Sequence, residues 1–535
     1  MKTVVVGGGV AASHAALTLL ERGLAVEMWD VGREEPEIPL PGVDFHALKG
    51  ALDDPVNYFL GTDLQALIPP GADELLRYPP ARRFLLEPDD PLWPLAEGTF
   101  RPRLSLARGG LANGWGANAL AFDADDLRGW PIGAADLAPD YATVRSRLPI
   151  AGPPADDLSP WLGTLVPNEP PVPLTATDRW LLARYARVRA GLNRRGVYLG
   201  HARMAVRTTQ GAANSCDQCD RCLWGCPRQA IYNPARDTLA ACARHPGFTY
   251  RPGRLVLRLI ARDGRIVAIR YLDTRTGAMR EEACDAVFLA AGAIGSGVIF
   301  LNTLAHAGLD LTAESAGLMD TQAVKIPYLA LGMLGRPPPQ RAFQFNRLNL
   351  GLLALEPHPP WPRYLHGEVL HLTGLLYHPL IAQLPLPAAL ASRLFHALRS
   401  ALGVVTLFFP DRIRPGNRLV LTAAEPLARV RAQYSADGDQ QALWARSVRR
   451  VQRALLRLGC LPRAPVYAPP GGGIHYAGTI PMGSGPRCCD AQGRSHLFRN
   501  LFIADGAAFP TLPSKSITLN LAAHATRVAR LAPLT

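Results

Sequence analysis

Residues 1–30, MKTVVVGGGVAASHAALTLLERGLAVEMWD, decide the fold. Val4, Val5 and Val6 form a short apolar run, Gly7, Gly8 and Gly9 break it, and Ala15, Ala16, Leu19 and Leu20 recur at helical spacing. A second apolar run, Ala25 to Trp29, ends at Asp30. Strand, turn, helix and strand make a βαβ unit that carries GxGxxA at Gly7, Gly9 and Ala12. Each position has a physical task. Gly7 makes the tight turn, Gly9 lets backbone N–H groups approach a pyrophosphate at the helix N-terminus, and Ala12 packs helix against strand. Asp30 stands where an acid accepts the hydroxyls of an adenosine ribose. A glycine pattern alone fits an ordinary turn, but these features together at this spacing predict a bound dinucleotide.

The rest of the composition agrees with a folded catalyst-sized chain. Its 535 residues are 48% hydrophobic and 19% charged, enough apolar material for two or three cooperating domains and too much for disorder. Nine cysteines are too sparse for a disulfide framework. Lys+Arg 57 against Asp+Glu 44 gives a net charge of +13, yet only Lys2, Lys49, Lys325 and Lys515 are lysines. The arginines are spread along the chain, so the charge reads as compositional bias rather than a nucleic-acid footprint, and a cationic surface favours an acidic redox partner. Residues 1–23 enter a buried strand at once and leave no room for an export signal, which predicts a cytoplasmic location unless a partner subunit carries the chain to the periplasm. Leu370 to Ser392 is free of charge, but Pro379, Pro385 and Pro387 interrupt it, so a core or lipid-facing surface is expected rather than a transmembrane helix.

Three later segments bear on which dinucleotide is bound. RGGLANGWGA (108–117) is a second Gly-rich loop, followed by DDLRGWPI (125–132) and DLAPDY (136–141). AVFLAAGAIG (286–295) is a buried strand running into a turn, and NLFIADG (500–506) is another, ahead of a final helix through Ser516 to Leu531. This order resembles the glucose–methanol–choline (GMC) family of FAD oxidoreductases, with the nearest pattern in the bacterial branch of cholesterol-oxidase-like proteins and sugar or gluconate dehydrogenase large subunits. The resemblance implies an α/β, two-domain architecture: a Rossmann-type FAD-binding domain split in sequence, and a substrate domain built on an antiparallel sheet with helices. It implies FAD with its ADP half on Gly7, Gly9, Ala12 and Asp30, and its adenine near Val256. The flavin half would lie near Gly109, Gly110, Asn113, Trp115, Gly116, Ala117, Asp505 and Gly506, with Ala291, Gly292 and Thr518 also against the cofactor.

Cys216, Cys219, Cys222 and Cys226, followed by Pro227, give CxxCxxCxxxCP, the compact spacing of a bacterial ferredoxin run. The other cysteines, Cys242, Cys284, Cys460, Cys488 and Cys489, are scattered. A single iron–sulfur cluster, 4Fe-4S or 3Fe-4S, is therefore expected, with zinc, disulfides or bare thiols as the alternatives. CPRQAIYN (226–233) is similar to dehydrogenase large subunits whose pattern would make Cys216, Cys222 and Cys226 ligands, with Cys219 additional. Such a cluster would pass electrons one at a time to a cytochrome or quinone-linked partner.

GGGIHYAGTIPMG (471–483) resembles the family's HxxGTxxMG segment, which implies His475 as the base that takes the hydroxyl proton while hydride leaves the carbon. The family's second polar position, a His or Asn, falls on Ser516 within PSKSIT (513–518). Ser516 can hydrogen-bond a substrate oxygen but cannot serve as an alternative base. Lys515 beside it reads as a surface cation or an anion holder.

The domains are expected at 1–314 (FAD-binding, with a Cys-rich insertion near 210–235), 315–465 (substrate) and 466–535 (return to the FAD domain with His475). Arg341–Leu355 and Val404–Phe409 read as strands, Ala389–Leu402 as a helix, and Gln440–Leu458 as a basic amphipathic helix carrying Arg446, Arg449, Arg450, Arg453 and Arg457. That helix and the apolar segment before it leave open a peripheral membrane or small-subunit contact. The expected reaction is dehydrogenation of a CH–OH group on a sugar, polyol or lipid-type alcohol. A flavin-dependent desaturase or isomerase, an oxygen-using oxidase with a non-redox cysteine site, and a non-catalytic electron-transfer or assembly subunit are the alternatives.

Overall fold

The computed structural model describes residues 1–38, 40–67, 78–86, 90–95, 98–163, 165–309, 313–356, 360–373, 381–382 and 384–534. Two sheets organise it. The first is parallel and five-stranded, in the order Leu501–Ile503, Ala286–Leu289, Thr3–Val6, Val26–Trp29, Phe248–Arg251. Thr3–Val6 lies at its centre, with Val6 opposite both Trp29 and Leu289. Such a strand is covered on both faces, which is why Val4, Val5 and Val6 run without polar alternation and are all buried. Helices Val10–Glu21 and Thr518–Leu531 pack against each other on one side, so the first and last described helices share a core.

The second sheet is antiparallel: Cys460–Pro462, Ala323–Ala330, Leu402–Phe408, Tyr364–His371, Leu348–Leu353 and Val197–His201 in spatial order. Val197–His201, from the amino-terminal part of the chain, forms the edge by pairing with Leu348–Leu353. One face of this sheet buries Val324, Ile326, Leu350, Val369 and Val405 against Leu181 and Tyr185 of helix Ala176–Asn193 and Val448 and Val451 of helix Gly438–Arg457. The other face looks toward the carboxyl ends of the parallel strands. This is the two-domain α/β arrangement expected, with the dinucleotide sheet assembled from separated segments.

Several local readings shift. The helix placed over Ala389–Leu402 spans Ala388–Leu398 and continues as a 3₁₀ turn to Ala401, because Leu402 already belongs to a sheet strand. In helix Gly438–Arg457 the side chains of Arg446, Arg449, Arg453 and Arg457 are solvated, while Arg450 turns inward and donates to Leu353 O at 2.8 Å. The central part of the apolar segment, residues 374–380 with 383, lies outside the described residues. No described helix is long and apolar enough to cross a membrane.

Lys515 is not a surface cation, and the anions it holds are carboxylates of the chain itself. Its side chain is fully buried, forming ion pairs with Asp123 at 3.0 Å and with Asp126, and donating to Ala121 O at 3.2 Å. It thereby fastens the 121–126 segment beneath the loop carrying Ser516. Lys515→Met should destabilise the protein by about 3–5 kcal/mol, because the buried Asp126 carboxylate and the half-buried Asp123 lose their cation. Chemical denaturation of variant and parent checks this.

Candidate active site

A cavity of about 930 Å³ runs between the two sheets. One end is the glycine turn. Gly7 has φ of 110°, a conformation that L side chains rarely adopt, and a Cβ there would lie 2.4 Å from Ala290 O. Gly9 differs: it caps helix Val10–Glu21 with no side-chain hydrogen bond, and a Cβ at Gly9 would meet nothing within 4 Å. The first-turn N–H groups of that helix therefore open onto unfilled space, the arrangement that receives an anion. The second Gly-rich loop closes over the first, with Gly109 N donating to Gly8 O at 3.1 Å.

Asp30 lines the same end and accepts from Tyr250 Oη at 3.0 Å. Burial pushes its carboxyl up to about 7, and hydroxyl donors from a bound ligand would favour the ionised, accepting form. Val256 lines the cavity beside Trp29 and Arg254, with the Arg254 guanidinium 4.3 Å from the Trp29 ring centroid. Further along lie Gly110, Trp115, Gly116, Ala291, Gly292, Gly506 and Thr518. Asp505 ties two of these turns together: Ser296 Oγ donates to it at 2.6 Å and Ala507 N at 2.9 Å. Three expected contacts stay off the wall. Ala12 is buried between helix and sheet, Asn113 turns back to donate to Arg108 O at 2.6 Å and Gly110 O at 3.0 Å, and Ala117 is buried against Met204 and Val206. All three shape the loops instead.

His475 lines the same cavity, on a loop fixed from several sides. Asp320 accepts from Gly471 N at 2.7 Å, Tyr476 Oη donates to Gly471 O at 2.5 Å, and Thr321 N donates to His475 O at 3.0 Å. Ile474, a β-branched residue, is held at φ of 70°, strain that persists only where its surroundings over-determine it. The His475 ring faces Phe408 at 6.1 Å between centroids, and its Nδ1 is buried without a hydrogen-bond partner. Desolvation lowers its pKa to about 4, so the imidazole is neutral and able to accept a proton at neutral pH. Ser516 also lines this cavity. Asp320 was not anticipated; an Asp followed by a polar pair, Thr321 and Gln322, inside an apolar stretch is the signal it leaves in the sequence.

The cysteine run departs from expectation. Among the described residues no group of three or more His, Cys, Asp or Glu side chains is arranged to hold a metal ion. Cys216, Cys222 and Cys226 pack against an apolar cluster that includes Met204, Val206 and Phe343, while Cys219 is pinned through its backbone, its N bonding Asp217 and its O accepting from Phe45 N at 2.9 Å. None of the nine cysteines forms a disulfide, and burial pushes the Cys216 thiol up to about 11 and the Cys219 thiol to about 12. An iron–sulfur centre at this run is not supported by the arrangement of the described side chains. The run touches the cavity through Leu223, whose N donates to Gln344 Oε1 at 2.5 Å; both residues line the wall.

A dinucleotide cradle and a largely buried histidine lining one cavity are the arrangement expected of a flavin-dependent oxidoreductase. Comparison with known proteins agrees. Residues 463–525 match the family described as GMC oxidoreductase. The 6'''-hydroxyparomomycin C oxidase of Streptomyces lividus is 26% identical over 426 residues, covering 76% of this chain and 72% of that protein. Pyridoxine 4-oxidase from Mesorbium loti superposes with a TM-score of 0.62 at 17% identity, covering 99% of this chain and 98% of that one. An FAD-dependent oxidoreductase from Chaetomium thermophilum gives 0.61 at 15% identity over 98% of each chain. The carboxyl-terminal segment thus carries the GMC oxidoreductase match, and the whole chain shares its fold with FAD-dependent oxidoreductases. The open space at Gly9, the uncapped helix and the acceptor at Asp30 fit the FAD that the family implies.

Proposed function

We propose that this protein is an alcohol oxidase: it converts a CH–OH group to a carbonyl, with dioxygen as the final electron acceptor and hydrogen peroxide as the second product. The observation that carries this reading is the single cavity joining the Gly7–Gly9 turn to the neutral, buried His475. FAD, when bound, supplies the two-electron acceptor. His475 takes the hydroxyl proton, Ser516 hydrogen-bonds the substrate oxygen, and Phe408 with the apolar wall excludes water so that the proton passes to the imidazole rather than to solvent. Dioxygen is favoured over a relay through the cysteines because the run does not form a metal-holding group, and because the Streptomyces relative is named an oxidase.

The test is a panel of alcohols added anaerobically to the purified flavoprotein, followed by admission of oxygen. Bleaching by an alcohol, with one peroxide formed per carbonyl on reoxidation, is the expected outcome. Bleaching without reoxidation by oxygen would point instead to a separate acceptor protein, for which the solvated Arg face of helix Gly438–Arg457 offers a cationic docking surface. No bleaching by any alcohol would favour a non-catalytic subunit. Iron and acid-labile sulfide should be absent from the same preparation; their presence at about three or four irons per chain would restore the cluster.

A further inference from the structure

The sheet wall of the cavity carries a polar row used by neither the dinucleotide cradle nor the base. Strand register places Lys325 opposite Thr406, and Thr406 opposite Glu368, and all three line the cavity. Phe408, the neighbour of His475, stands on the same face two residues along its strand. Two residues of strand advance about 7 Å, so the row lies one such step beyond the base. Past it, Pro327, Val404 and Leu370 continue the face as an apolar wall.

Glu368 is the charged residue this row leaves incomplete. Asn118 Nδ2 donates to its Oε1 at 2.7 Å, and Asn118 is itself fixed by Asn346, whose Nδ2 donates to Asn118 Oδ1 at 3.1 Å and to Asn349 Oδ1 at 2.7 Å. The carboxyl is thus oriented by amides, and among the described residues it forms no ion pair. Burial alone pushes it up to about 7. The other carboxylates on the wall are engaged elsewhere, Asp30 by Tyr250 and Asp505 by Ser296 and Ala507. A buried carboxylate without a cation is costly, and a ligand that brings a cation offsets that cost. Lys325, across Thr406, gives the row a direction, turning a positively charged ligand group toward Glu368 and away from the other end.

We propose that Glu368 is a specificity determinant that receives a protonated amine, so that amino alcohols are preferred over neutral alcohols of equal length. The amine would sit one strand step from the carbon that His475 serves. This rests on the reading of the His475 site as an alcohol-oxidising centre.

The test compares linear amino alcohols of increasing length with their N-acetyl derivatives, which keep the hydroxyl and lose the charge. In the parent protein kcat/KM for the best amino alcohol should exceed that of its N-acetyl derivative by about tenfold or more, and Glu368→Gln should erase that ratio. A second readout is binding of an alkylamine that lacks the hydroxyl, followed by perturbation of the flavin spectrum; it should weaken in Glu368→Gln and recover in part in Glu368→Asp. Flavin content and unfolding temperature verify each variant, and the parent comparison decides even if a variant loses flavin. Equal kcat/KM for the charged and acetylated substrates in the parent, or a preference that survives Glu368→Gln, overturns the proposal. If no alcohol bleaches the flavin while amine binding still depends on Glu368, the oxidation reading falls and the amine subsite stands. If alcohols bleach it without regard to charge, the opposite holds.

Discussion

His475→Ala should retain flavin and lose about two to four orders of magnitude in the rate at which an alcohol bleaches it, the usual contribution of a positioned general base. The ring packs against Phe408 and makes no hydrogen bond through its buried Nδ1, so its removal takes little from the fold. The loop is held by Asp320, Tyr476 and Thr321 through backbone atoms that the substitution leaves in place. The pH profile adds a sign. Because burial lowers the His475 pKa from 6.5 to about 4, acidification through 6.5 leaves the ring unprotonated, and kcat/KM should fall only as pH drops toward 4. An acid limb centred at 6.5 would mean the imidazole is solvated. Rapid-mixing measurements of flavin bleaching across pH, in parent and variant, check both statements.

Gly9→Val and Gly7→Val should fail in different ways although the residues are neighbours. At Gly9 the backbone is extended and the space ahead of a Cβ is open, so the variant should fold and lose FAD, because the side chain occupies the pyrophosphate position. At Gly7 the positive φ and the 2.4 Å approach to Ala290 O strain the central strand itself, and the variant should lose stability as well as cofactor. Flavin content measured alongside circular dichroism separates a colourless folded protein from a colourless unfolded one. Gly9→Val that keeps full flavin would remove the cradle from the account.

Local chemistry explains which features were legible in residues 1–30 and which were not. Gly7, Gly9 and Asp30 reach the cavity wall because a βαβ unit determines its own geometry over a short span, and the His475 loop carries its own glycine spacing. Lys515 was misread because its partners, Asp123 and Asp126, lie almost four hundred residues away, a separation over which sequence spacing carries no information. The cysteines share the spacing of a cluster, yet spacing does not fix where each thiol points; contacts of Cys219 with Phe45 and Ala342 pull that part of the run toward the helix at Phe45–Ala51 and the 342 segment. Glu368 and Lys325 were hidden within apolar strands, and only register places them on one face.

The parallel sheet joins Thr3–Val6 to Leu501–Ile503 through one intervening strand, Ala286–Leu289. During synthesis the segment that begins the sheet must therefore wait for the segment that completes it, while nearly five hundred residues emerge between them. Long-range pairing of this kind slows folding and prolongs exposure of strand edges. Cofactor loading is then an event of the released chain, and a ribosome that stalls before residue 501 leaves a nascent product lacking its last sheet strand and the helix that packs on the first, a natural target for quality control.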